Sequence, residues 1–197
     1  MTTAPLELGP SALVVWDMQA GIAGRAYNRS DIVPRIADLL EAYRTRRLPI
    51  VYSQHTTPPE GWENPAMARG MARRGVAPGS FRLSPDRPEW EILPELAPRS
   101  GELVLPKTTP SFFVGTPLEA MLRTRRIETL VLTGVSTEAG IAGTARHAAN
   151  LGFHAIVVED ACGSMSPEAH AGALAQLRSV ADVETTAEIL ARLPSPP

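Results

Sequence analysis

Cysteine and lysine are nearly absent from this chain. Its 197 residues contain one Cys, Cys162, so no internal disulfide can form and a reducing, cytoplasmic setting is expected. With one Cys and four His, none at ligand spacing, a structural zinc site has no support, and neither metal nor other cofactor is expected. No apolar run approaches the roughly 20 residues that a membrane span needs. The opening MTTAPLELGP lacks the basic head and apolar core of a secretory leader. A net charge of -2 gives no general attraction to nucleic acid or to a membrane surface. There is no GxGxxG after the first apolar run, no GxxxxGK[ST] and no GxSxG, so nucleotide binding and a serine elbow are both unsupported. Against 18 Arg stands a single Lys, Lys107. Coding bias accounts for the Arg. It also marks Lys107, because a compact ammonium with a tunable pKa is what Arg cannot supply.

What is present is alternation. Apolar, β-rich runs at Ser11–Gln19, Leu48–Thr57, Gly101–Lys107, Thr129–Val135 and His154–Cys162 read as strands. Helical periodicity falls between them, at Asp31–Arg46, Thr116–Arg126, Ile141–Leu151 and Ser166–Ala181, with a short strand and a last helix near the end. Ser30 or Asp31, Thr116 and Ser166 are the expected helix caps, and Pro117 suits a first helical position. The pattern predicts a single α/β domain over 1–197, a three-layer α/β/α arrangement with a mainly parallel sheet of about six strands. The termini, PSPP included, are expected to fray. The segment 58–89, rich in Pro, Gly and Arg with one short helix near Ala66–Arg74, is too long for an ordinary connection and reads as a lid or an interface.

In such sheets ligands bind beyond the carboxyl ends of the strands. That rule selects Asp17, Gln54 with His55, Lys107, Gly134 to Gly140, and Glu159 with Asp160. Asp17 and Lys107 both end apolar strands, where a charge needs a partner or a shifted pKa. The alternative for each alone is plain: a loop-capping Asp and a surface Lys. Brought to one sheet edge, the two form an acid held by an ammonium. His55 reads as structural, Glu159 and Asp160 as serving the following turn, and Cys162 as a small buried hydrophobe. Arg69 and Arg73 share a helical face, either solvated or placed to hold a ligand carboxylate.

The stretch GVSTEAGIAGTARHA, 134–148, joins a strand to a Gly-rich helix start, the usual seat of a nucleophile, yet it holds no Cys. Together with LVVWDMQAG around Asp17, VLPKTTPSFFVGTPLEAML around Lys107, and GFHAIVVEDACGS, it resembles the isochorismatase-like, or cysteine hydrolase, superfamily over about residues 13–193. There are two departures. Gly140 stands where that superfamily has its nucleophilic Cys, and His147 stands where it has the Asp of A-R-D-A. The resemblance implies a catalytic Asp17 with Lys107 as its electrostatic partner and no metal, since QHTTPPE lacks the D-x-H cluster of related nicotinamidases. It implies a substrate place around Gln54, Trp16, Phe113, Ser136, Thr137 and Ala139, a cis-peptide turn at Ser136, and a homodimer or homotetramer.

Without a thiol, acyl-enzyme chemistry has no attacking group. Three readings follow. Asp17 protonates an enol ether of the isochorismate type, with Gly140 making room for the substrate ring; this is the first expectation, for a small, carboxylated substrate. Alternatively, Asp17 activates water against an amide, or the protein binds a metabolite without turnover.

Overall fold

The computed structural model describes residues 7–73, 75–77 and 81–197. Six strands form one sheet in the order β3-β2-β1-β4-β5-β6: β1 Ser11–Trp16, β2 Ile50–His55, β3 Leu103–Lys107, β4 Thr129–Val135, β5 His154–Gly163 and β6 Asp182–Glu184. Every pairing is parallel. β1 and β4 are buried along their whole length, which is why they read as unbroken apolar runs rather than alternating ones. Pro106 sits in β3, at the sheet edge, where a missing N–H is tolerated.

The helices are α1 Ala20–Ala23, α2 Arg29–Thr45, α3 Pro65–Arg73, α4 Leu118–Thr124, α5 Ala142–Asn150, α6 Pro167–Leu177 and α7 Thr186–Arg192. Strand alternation divides the core. Leu13, Val15 and Tyr52 pack with Ile32, Ile36 and Leu39 of α2 and Ile189 of α7. On the other face Val14, Trp16, Val51 and Leu105 pack with Leu118, Ala145 and Leu177 of α4, α5 and α6. This is the three-layer α/β/α arrangement that the alternating pattern predicts.

The differences from expectation are local. β1 stops at Trp16 because Asp17 turns to φ 46°. A π turn, Thr137–Ile141, precedes α5. Asn28 rather than Ser30 or Asp31 begins α2, without a side-chain cap. Ser166 does cap α6, accepting from the Ala169 N–H at 3.1 Å. Pro117 occupies the N-cap of α4, and the Leu118 N–H reaches the Thr116 hydroxyl at 3.3 Å. The ends are tied rather than frayed at Leu8, whose N–H donates to Arg192 O at 2.8 Å, and at Pro194, whose carbonyl accepts from Arg46 Nε at 2.5 Å. Residues 1–6 lie outside the described residues.

The segment 58–89 is not uniform. α3 buries none of its residues, and Trp62 just before it is 81% exposed; Arg74 lies outside the described residues. From Phe81 onward the chain becomes a strap across the strand ends. Thr57 N donates to Leu83 O at 2.7 Å and Leu83 N to Thr57 Oγ1 at 3.0 Å. Ala20 N reaches Glu91 O at 2.9 Å, and Leu93 N reaches Met18 O at 2.9 Å.

Candidate active site

The chain crosses from one half of the sheet to the other at β1, with β2 on one side and β4 on the other. The carboxyl end of that crevice is where a doubly covered parallel sheet binds ligands. Asp17, the end of β2, Lys107 and the turn after β4 all meet there.

Side-chain direction explains how. Trp16 pairs with Ser53 and His55 with Lys107, so these four share the α4–α5 face of the sheet. Regular alternation would send Asp17 to the opposite face. Its left-handed backbone, φ 46°, a conformation Asp tolerates better than most residues, ends the strand and lets the carboxylate join Ser53 and Lys107. Lys107 Nζ donates to Asp17 Oδ2 at 2.6 Å, with the two side chains 2% and 8% exposed. Ser53 Oγ donates to Asp17 Oδ1 at 2.6 Å and accepts from the Asp17 N–H at 3.0 Å. A buried ion pair is tolerated when hydrogen bonds satisfy its remaining positions, and Ser53 does so for the acid. The ammonium also lies 4.3 Å from the centre of the Trp16 ring, a cation–π contact.

His55 completes the cluster. Its ring is largely buried and stacks on Phe81 of the strap, centroids 6.4 Å apart. Burial, reinforced by the Lys107 charge, pushes the imidazole down to about 4, so it is neutral near pH 7.

The place of the missing thiol is filled. Trp16 is 1% exposed, and a Cβ built on Gly140 would stand 1.9, 2.2 and 2.5 Å from its Nε1, Cε2 and Cζ2. Gly140 therefore makes room for a ring of the protein itself, Trp16, where a substrate ring was expected. Gly134, at φ 109°, does the same for the backbone: a Cβ there would meet Trp16 O at 2.1 Å.

Other expected residues have different employment. Gln54 lies on the opposite face of β2 and donates Nε2–H to Trp90 O at 3.1 Å, beside Gln19, which donates to the same carbonyl at 2.7 Å. The two amides fasten the strap, so Gln54 stands behind the pair instead of over it. Thr137 is buried and its hydroxyl donates to Gly163 O at 2.9 Å, which leaves His170 Nδ1–H as donor to the same oxygen at 2.9 Å. Phe113 packs away from the pair, stacked on Phe153 at 5.8 Å and tilted against His147 at 5.1 Å. His147 in turn meets Ser111 Oγ at 2.7 Å. Ser136 follows a cis Val135–Ser136 peptide and is half-buried, whereas Ala139 is exposed. Glu159 and Asp160 bulge out of β5, where Cys162 rather than a nearer residue faces Gly134. Glu159 pairs with Arg178 at 2.8 Å. Asp160 accepts from the Thr186 N–H at 2.7 Å and pairs with Arg35 at 3.1 Å, so the two acids serve neighbouring helices and not the turn that follows them. Cys162 is fully buried, and burial pushes its thiol up.

Sequence reasoning missed Ser53 and, having picked out His55 at the strand end, read it as structural. The available signal was alternation along β2, which puts both on the face that carries Trp16 and Lys107.

A parallel sheet covered on both faces, with a buried Asp–Lys pair at its switch point, is the frame of one hydrolase family. Residues 11–188 match its Isochorismatase domain, and the chain belongs to the isochorismatase family of hydrolases. It is 32% identical over 189 residues to the uncharacterized isochorismatase family protein YecD of Escherichia coli O157:H7, covering 94% of this chain and 97% of that one. It is 29% identical over 199 residues to ureidoacrylate amidohydrolase RutB of Pantoea ananatis, covering 89% of this chain and 76% of the relative. An isochorismatase family protein from Burkholderia thailandensis superposes with a TM-score of 0.80 at 31% identity, over 96% of this chain and 99% of that one.

Proposed function

We propose that this protein is a thiol-independent hydrolase of small amides or ureides, in which Asp17 activates water. The observation that carries this reading is the pairing of two facts at one place. Both Asp17 oxygens accept a donated hydrogen, from Ser53 and from Lys107, and the Cβ position of Gly140 is filled by indole. The first arrangement suits a proton acceptor better than the acid that enol-ether cleavage requires, and the second leaves water as the attacking group. Asp17 takes a proton as water oxygen bonds to the carbonyl carbon. It returns that proton to nitrogen as the C–N bond breaks, releasing an acid and an amine. Lys107 holds the carboxylate in place and balances its charge. Arg25, whose guanidinium lies 5.7 Å from the Phe81 ring that covers His55, puts a cation beside the strap and favours a carboxylated substrate. The amidohydrolase activity in the name of the Pantoea relative supports the same class.

The test is ammonia release from a panel of small amides and ureides, ureidoacrylate among them, beside pyruvate release from isochorismate. Cleavage of an amide or ureide is expected, lost in Asp17→Asn and indifferent to N-ethylmaleimide. Pyruvate release without amide cleavage returns Asp17 to the role of acid. Ligand-induced rises in Tm with no turnover of either substrate replace catalysis by metabolite binding.

A further inference from the structure

We infer that Trp16 is the hydrogen-bond donor of this site: its indole Nε1–H binds the carbonyl or carboxylate oxygen of the substrate beside the Asp17–Lys107 pair. The inference rests on the hydrolytic reading above and adds a residue to it. A Trp buried to 1% exposure ordinarily gives its N–H an acceptor, because a desolvated donor without one is costly. Trp90 conforms, donating to Thr56 Oγ1 at 3.1 Å. The Trp16 Nε1–H meets no acceptor among the described residues, yet it is not one of the unpartnered atoms sealed from solvent, so this edge of the ring is the part left open to the site.

Nor is the ring free to find one. Its face carries the Lys107 ammonium at 4.3 Å, and it meets Phe112 edge to face at 89°, centroids 5.5 Å apart. Those contacts turn the N–H edge toward Gly140, with Nε1 the nearest atom, 1.9 Å from the Cβ position. The donor is thus held in one orientation, at the spot where a side-chain nucleophile would otherwise stand. A neutral N–H there complements the charged pair. It can hold an electron-rich oxygen without competing for the Asp17 proton acceptor, and a donor set in advance needs no reorganisation as negative charge grows on that oxygen.

The three Trp of the chain make the donor directly observable. In a ¹⁵N–¹H spectrum of the full chain, the Trp16 indole resonance, assigned through Trp16→Phe, is expected to move and saturate on titration with acetamide or acetate. The Trp62 and Trp90 resonances should stay in place. Gly140→Ala, which displaces the ring, should abolish the movement. For whichever amide is cleaved, Trp16→Phe removes the N–H together with part of the ring that fills the place over Gly140, so Tm should fall and kcat/KM of the folded protein should fall about tenfold. A Trp16 resonance that moves with neither probe overturns the inference, as does wild-type kcat/KM in Trp16→Phe. A resonance that moves in a protein cleaving no amide leaves the donor standing and removes only the hydrolytic reading.

Discussion

At position 140 one absent Cβ decides which chemistry is open to this chain. The volume that a Cys side chain would enter holds three indole atoms within 2.5 Å of the Cβ position, and that ring is braced by Phe112 and Lys107. Gly140→Cys is therefore not a restoration. Overpacking a braced ring costs about 1–3 kcal/mol, so urea unfolding should show that loss, and the variant should gain no amide cleavage. Cys162 is fully buried and should stay silent toward a thiol reagent, so any fast-reacting thiol belongs to the new residue. An unchanged unfolding midpoint with a fast-reacting thiol would show instead that the ring yields. Asp17 and Lys107 were legible in the sequence as charges ending apolar runs. Trp16 was expected in the substrate place but not as the filler over Gly140, because nothing in a linear pattern says that an indole at 16 and a missing Cβ at 140 share one volume.

At the scale of elements, β2 works as a divided support. Its alternate residues Ser53 and His55 face the acid pair, while Gln54 on the other side holds Trp90 of the strap. Phe81 then closes over His55, and this enclosure has a pH signature. A free imidazole titrates near 6.5, but in the fold His55 is pushed down to about 4. Between those values the unfolded chain binds the proton and the native one does not. The stability contributed by neutral His55 is therefore complete above about 6.5 and is lost as pH falls toward 4, by about 3 kcal/mol at most. Urea unfolding at pH 7 and pH 4.5 should show a larger loss for the wild type than for His55→Gln, in which the other carboxylates titrate alike. Equal losses would mean that the enclosed imidazole is not linked to folding. The strap could not be foreseen as such: segment 58–89 reads as one Pro-, Gly- and Arg-rich loop, and only the contacts of Leu83 and Trp90 distinguish its packed end from the exposed α3.

At the scale of the whole molecule, that exposed end has a consequence for assembly. Trp62, 81% exposed beside a helix none of whose residues is fully buried, leaves apolar surface that a second copy of the chain would cover. Light scattering is expected to give a mass that is a multiple of 21.1 kDa, falling toward the monomer in Trp62→Ser; a monomer at all concentrations would show that the surface serves no such contact.

The alternation of apolar strands and periodic helices determined by itself that the chain would build a parallel sheet covered on both faces. Such strands are buried on both sides, and parallel neighbours need long crossover connections, usually helical. The same local logic put Asp17 and Lys107 at strand ends. What the tertiary structure alone decided was which side chains face one another there: the turned backbone that swings Asp17 to Ser53, the strap that encloses His55, and the indole that fills the place over Gly140. These depend on register between strands far apart in the chain, and on volumes shared by residues that no sequence spacing relates.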